Sequence, residues 1–148
     1  VEPTHPDFGF YGIHGVETLY TLLGTGCEAV SRIHSPMGDI VSGRWNDGRL
    51  GTFRAVVKGP AVYGGTAFTE KGTVAAGGYA GYKVLLDEIL RYFKSDASPV
   101  SKEETLEIFT FMKASNMSLE RGGRTVMMDE AYAEGMKEAR RLLEAYDE

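Results

Sequence analysis

Gly43-Arg44-Trp45-Asn46-Asp47-Gly48-Arg49-Leu50-Gly51-Thr52-Phe53-Arg54-Ala55-Val56-Val57 holds two β-prone runs around a three-residue turn, and its reading decides the fold. Asn46-Asp47-Gly48 has the chemistry of a hairpin loop, because glycine takes at no steric cost the left-handed conformation that closes one. After the turn the side chains alternate. Phe53, Ala55 and Val57 share one face, while Thr52, Arg54 and Lys58 share the other. A strand patterned in this way buries one face and leaves the other at least partly polar. Working outward, Glu28–His34, Ile40–Trp45, Leu50–Val57, Val62–Phe68 and Thr73–Ala76 are short runs rich in Val, Ile, Thr and aromatics. Glu70-Lys71-Gly72 repeats the three-residue hairpin signal. An antiparallel meander is expected across this region.

The flanks read as helices. Upstream, Gly12–Leu23 places Val16, Leu19, Tyr20 and Leu23 within about 100° of arc and sets His14, Glu17, Thr18 and Thr21 opposite. Downstream, Tyr82, Leu85, Leu86, Ile89 and Phe93 recur at three- and four-residue spacing. Ser101-Lys102-Glu103-Glu104 is a capping box, opening a helix that should run to about Glu120 and stop at Gly122-Gly123. Within it Glu103, Glu104 and Glu107 read as acids favoured by the helix dipole, and Phe109, Met112 and Met117 as core. A last helix follows Asp129, with Tyr132, Met136, Ala139, Leu143 and Tyr146 on one stripe. The fold class is therefore α+β. One domain over residues 1–148 has a mainly antiparallel open sheet of about five strands and three larger helices on one face.

Composition narrows the function classes. The chain has 148 residues and a formal charge of −5, which disfavours a general nucleic-acid binder, since that needs a basic patch able to compete for phosphates. No apolar run approaches the roughly 20 residues of a membrane span. A soluble protein of cytoplasm or periplasm is expected. The charge is uneven: residues 27–72 sum to +2 and residues 83–148 to −4. Glycine is the outlier at 19 residues, all but three of them before Tyr82. The chain opens at Val1 without a signal-peptide pattern, as a piece of a longer protein would.

Candidate chemistry is sparse. His14 lies on the polar side of its helix with Glu17 one turn away, where a carboxylate can support an imidazole as a general acid or base. A solvent-exposed histidine is the bland alternative. Cys27 has no histidine in a defined local relationship, so a small buried residue at a strand start is the simpler reading. His5, His14 and His34 are spaced unlike any metal-ligand motif. Arg32, Arg44 and Arg54 could line a polar sheet face and contact an anionic or polyol substrate, or could form salt bridges. Trp45 could stack on a sugar or anchor the hairpin. Gly24-Thr25-Gly26-Cys27-Glu28-Ala29 fits the letters of a dinucleotide fingerprint, but a helix precedes it and a strand follows, the reverse of what pyrophosphate binding needs. Gly24 instead reads as a helix C-cap.

Tyr11-Gly12-Ile13-His14-Gly15-Val16-Glu17-Thr18-Leu19, Gly43-Arg44-Trp45-Asn46-Asp47-Gly48-Arg49 and Glu103-Glu104-Thr105-Leu106-Glu107-Ile108-Phe109 resemble the C-terminal half of Gfo/Idh/MocA-type oxidoreductases. The resemblance is to the bacterial branch with a Tyr-Gly-Ile-His-Gly-Val-Glu signature, and it covers nearly the whole chain. It implies a substrate-binding and oligomerisation domain that works with an N-terminal Rossmann domain holding NAD or NADP. It also implies hydride transfer to or from a sugar- or polyol-like hydroxyl or carbonyl, and a homo-oligomer built through the sheet. His14 falls at the family's catalytic histidine, and Glu17 stands where an Asp is usual. Tyr11, Glu17, Arg32 and Arg44 are the expected substrate contacts. Phe10 occupies a position that is often Asp in the family, and the family's Glu-Lys-Pro motif is absent from these residues. The chain alone is not expected to be active. The alternative reading is a non-catalytic binding or assembly module using the exposed sheet face.

Overall fold

The computed structural model describes residues 8–57, 64–76, 78, 81–95 and 97–146. Strands β1 (Cys27–Ser35), β2 (Gly38–Trp45) and β3 (Leu50–Val56) form the expected meander. Gly48 closes the second turn at φ +88°, with Trp45 and Arg49 hydrogen-bonded across it. Among the described residues, strands β4 (Gly65–Thr69) and β5 (Gly72–Ala76) pair only with each other, around the two residues Glu70 and Lys71. Residues 62 and 63 of the expected fourth strand lie outside the described residues. A two-residue strand, β6 (Val126–Met127), pairs with the free edge of β1. The α+β class holds, with the strands divided between a four-stranded antiparallel sheet, ordered β3-β2-β1-β6, and a separate two-stranded one.

The helices are α1 (Phe8–Leu23), α2 (Lys83–Ser95), α3 (Lys102–Glu120) and α4 (Met128–Tyr146). One face of the larger sheet is covered by α1 and α3. Val16, Leu19 and Tyr20 of α1 and Ile108, Phe111, Met112 and Met117 of α3 bury against Val30, Val41, Trp45 and Phe53 of the sheet. At the centre the rings of Trp45, Tyr20 and Phe111 lie 5.8–6.5 Å apart, in tilted and edge-on arrangements that aromatic quadrupoles favour. The glycine excess finds its use here. Gly43 and Gly51 pair across β2 and β3, and a Cβ on Gly43 would stand 2.7 Å from the Phe111 ring. On Gly15 a Cβ would overlap the Phe53 ring, so α1 reaches the sheet only because that residue has no side chain. Ser101 caps α3 by accepting the Glu104 N–H at 3.0 Å. The helix ends in a Schellman motif, with the Gly123 N–H on the Ser118 carbonyl at 2.8 Å and Gly122 at φ +69°.

Three expectations about packing change. Helix α2 has the predicted apolar ridge but buries none of its residues, so it does not join the helical layer. Phe109, expected in the core, is 58% exposed, whereas Met112 and Met117 are buried. On α4 only Met128 and Ala131 are buried, and the stripe from Tyr132 to Tyr146 faces outward.

Candidate functional site

The five residues expected to act on substrate fall in three places. Tyr11, His14 and Glu17 stand together on α1, on the side away from the sheet. Glu17 Oε2 is 3.1 Å from His14 Nδ1, and the Tyr11 ring meets the imidazole edge-on with centroids 5.7 Å apart. Both members of the His14–Glu17 pair are about half exposed. An ionised carboxylate can only accept a hydrogen bond, so a neutral imidazole paired with it carries its proton on Nδ1 and keeps its lone pair on Nε2. Helix spacing suffices to build this arrangement: residues 11, 14 and 17 are each three apart, and the sheet-facing residues fix which way the stripe points.

Arg32 does not line the open sheet face. It points under the helices and is 5% exposed, with Nε donating to Asp39 Oδ1 at 2.7 Å and Nη1 to Asn116 Oδ1 at 2.9 Å. Its guanidinium lies 4.0 Å over the Phe8 ring, so it ties the start of α1 to β1, β2 and α3. His34 Nδ1 reaches the same Asp39 oxygen at 3.0 Å. The reversal has a local cause. The β1–β2 pairing shifts register between Cys27 and Ala29, and a one-residue shift exchanges the two faces of a strand. Arg44 does lie on the open face, bonded to Glu28 at 2.9 Å. The sheet separates it from His14.

A second polar centre was not legible as such. Glu107 reaches from α3 into the turn between α1 and β1. Its Oε1 accepts the Gly26 and Cys27 backbone N–H groups, each at 2.8 Å, and the Tyr20 hydroxyl at 3.1 Å. Burial and the nearby Glu107 carboxylate push the Tyr20 hydroxyl well above the usual phenol range. Burial pushes the Cys27 thiol up to about 11, so it stays protonated near neutrality and is a poor nucleophile. Glu107 is more than a helix-dipole acid: from the second turn of α3 it staples a neighbouring loop. A cavity of about 230 Å³ beside it is lined by Cys27, Glu103, Thr110, Asp129 and Tyr132. The Gly24–Ala29 segment runs from the end of α1 into β1, with Gly24 capping α1 at φ +65°. It is the wrong way round to hold a dinucleotide pyrophosphate.

This geometry defines an α+β domain with one helix-covered sheet face and a histidine–carboxylate pair on the outside of its first helix. The same fold occurs in a crystal structure from Desulfitobacterium hafniense DCB-2, provisionally described as an NADPH-dependent oxidoreductase. The two match with a TM-score of 0.64 at 14% identity, over 83% of this chain and 48% of the other. The chain thus spans about half the length of the structure it matches. No family model matches the sequence, and no curated protein matches it. No helix among the described residues is long and apolar enough to cross a membrane.

Proposed function

We propose that this chain is the substrate-binding and oligomerisation half of an NAD(P)-dependent oxidoreductase that moves a hydride to or from a sugar- or polyol-like carbon. The observation that carries the reading is the His14–Glu17 pair, presented with Tyr11 on a rigid helix face. A domain sharing half of an oxidoreductase's fold supports it. The described residues offer no strand–glycine–helix cradle for the dinucleotide, so a Rossmann domain is its proposed holder. The nicotinamide, when bound there, supplies or takes the hydride. The chain's own part is the accompanying proton. His14 Nε2 takes it from the substrate hydroxyl in oxidation or returns it to the carbonyl oxygen in reduction, while Glu17 holds the ring by Nδ1 and stabilises the imidazolium. Tyr11 packs against the ring and borders the substrate. Arg44, on the opposite face, acts on substrate only if a second copy carries it there; the open sheet face, with Ile33, Ile40 and Leu50 exposed, is the proposed surface of self-association. The test is direct. The full-length protein carrying this domain is assayed with NAD and NADP against a panel of sugars and polyols, following nicotinamide absorbance. Reduced nicotinamide with at least one polyol is expected. Absence of turnover with either cofactor would leave the assembly-module reading in its place.

A further inference from the structure

The half of α1 that carries Tyr11 and His14 is, by composition, a poor helix. Gly9, Gly12 and Gly15 all fall in it, and glycine is among the weakest helix formers. Its first turn, Phe8-Gly9-Phe10-Tyr11, holds no acid to favour the helix dipole. The far end of α1 is tied directly. There the Trp45 indole donates to the Gly24 carbonyl at 2.8 Å, and Arg49 Nη1 to the Leu23 carbonyl at 2.6 Å. At the near end the anchor is Phe8. Its buried ring lies under the Arg32 guanidinium at 4.0 Å and beside the Phe53 ring at 5.9 Å. It also rests against Gly12 one turn on, where a Cβ would stand 2.9 Å from it. Arg32 is itself fixed on two sides: its backbone N–H donates to Ser118 Oγ, its Nε to Asp39 and its Nη1 to Asn116. Sheet and α3 together therefore set the plane that meets the ring. A guanidinium stacked on a ring out of water is attracted more strongly than an exposed one.

We propose that Arg32 is a positioning residue for His14: by pinning Phe8 it keeps the first turns of α1 wound, and so holds the Tyr11 ring against the imidazole. Phe8, Tyr11 and His14 follow one another at three-residue spacing, so unwinding at Phe8 carries Tyr11 away while Glu17, further along, keeps its place. The catalytic meaning of this role rests on the reading of His14 as the proton-handling group. The test needs no turnover, so the two stand or fall separately. Amide hydrogen exchange on the chain follows Gly12, Ile13 and His14, whose N–H groups bond carbonyls four residues earlier, in the first turn. Val30 and Val41 serve as core references. The His14 ring signals in NMR report the Tyr11 contact, with Tyr11→Ala defining the direction of its loss. Arg32→Lys keeps the charge beside Asp39 but not the planar fork, whereas Phe8→Leu leaves the ion pair whole and keeps the apolar bulk. Each should lower protection of Gly12, Ile13 and His14 about 10-fold or more, with a smaller loss at Val30 and Val41. Each should also shift the His14 ring signals as Tyr11→Ala does, and add nothing further when combined with Tyr11→Ala. An arginine that merely stabilises the fold would lower all protection by one factor and leave the imidazole signals in place. That result would overturn the proposal. So would first-turn amides unprotected in the unmodified chain, a variant without effect on them, or ring shifts that add to those of Tyr11→Ala.

Discussion

Replacing Glu107 by alanine tests the staple that joins α3 to the turn between α1 and β1. One carboxylate oxygen receives three donors there: two backbone N–H groups at 2.8 Å and the Tyr20 hydroxyl at 3.1 Å. Hydrogen bonds to a charged group contribute about 1.5–3 kcal/mol each, and a buried donor left unpaired costs about 1–3 kcal/mol. The three share one oxygen, and water can reach part of the site through the adjoining cavity, so the sum is discounted. We expect Glu107→Ala to destabilise the domain by about 3–5 kcal/mol. Glu107→Gln keeps an acceptor but not the charge, and should cost about 1–2 kcal/mol. Urea unfolding followed by Trp45 emission is the natural assay, because the indole lies 5.8 Å from Tyr20 and reports the same region. Tyr20→Phe combined with Glu107→Gln should be less than additive, since both remove the same bond. A Glu107→Ala loss under 1 kcal/mol, or equal losses for Ala and Gln, would refute the staple.

Gly15→Ala should destabilise by about 1–3 kcal/mol, although alanine is the better helix former, because its Cβ would overlap the buried Phe53 ring. Gly135→Ala in α4 meets open space and should gain up to about 1 kcal/mol; thermal melts of the two should move in opposite directions. Ser101→Ala removes the cap on Glu104 N–H and should cost about 1 kcal/mol, read by the same melts. The raised thiol and phenol give an alkaline sensitivity of definite sign. Cys27 holds its proton in the folded state up to about pH 11 but releases it near 9 when unfolded. Its contribution is therefore complete below pH 9 and lost between 9 and 11, by about 2 kcal/mol, with Tyr20 extending the loss upward. Cys27→Ser should flatten that decline in urea midpoint against pH.

The parts of the fold that were legible in sequence are those decided locally. Turn glycines, strand alternation in β3, the sheet-facing stripe of α1 and the cap and stop of α3 each depend on residues within a few positions of one another. What was not legible depends on distant contacts. The apolar ridge of α2 is as clear as that of any helix, but periodicity says only that a face seeks cover, not whose. Strand β6 has two residues and no period to detect. Arg32 looked outward because its alternation with Ser31 and Ile33 leaves neither face of β1 purely apolar, and the register shift at Cys27 carries no sequence mark. Glu107 has the composition of a dipole acid, and its role appears only when α3 meets the α1–β1 turn some 80 residues earlier. In the candidate site, spacing within Gly12–Leu23 predicts His14 and Glu17 one turn apart, and they stand so; Tyr11 joins them because α1 begins earlier, at Phe8.

The proposed role of His14, handling the proton that accompanies hydride transfer, is examined most directly by chemical rescue. In the full-length oxidoreductase we propose, His14→Ala should lower turnover by roughly 100- to 10,000-fold. Added imidazole should restore part of the loss in His14→Ala and have no effect on the unmodified protein. Turnover that survives the substitution intact, or a loss that imidazole never relieves, would contradict the assignment.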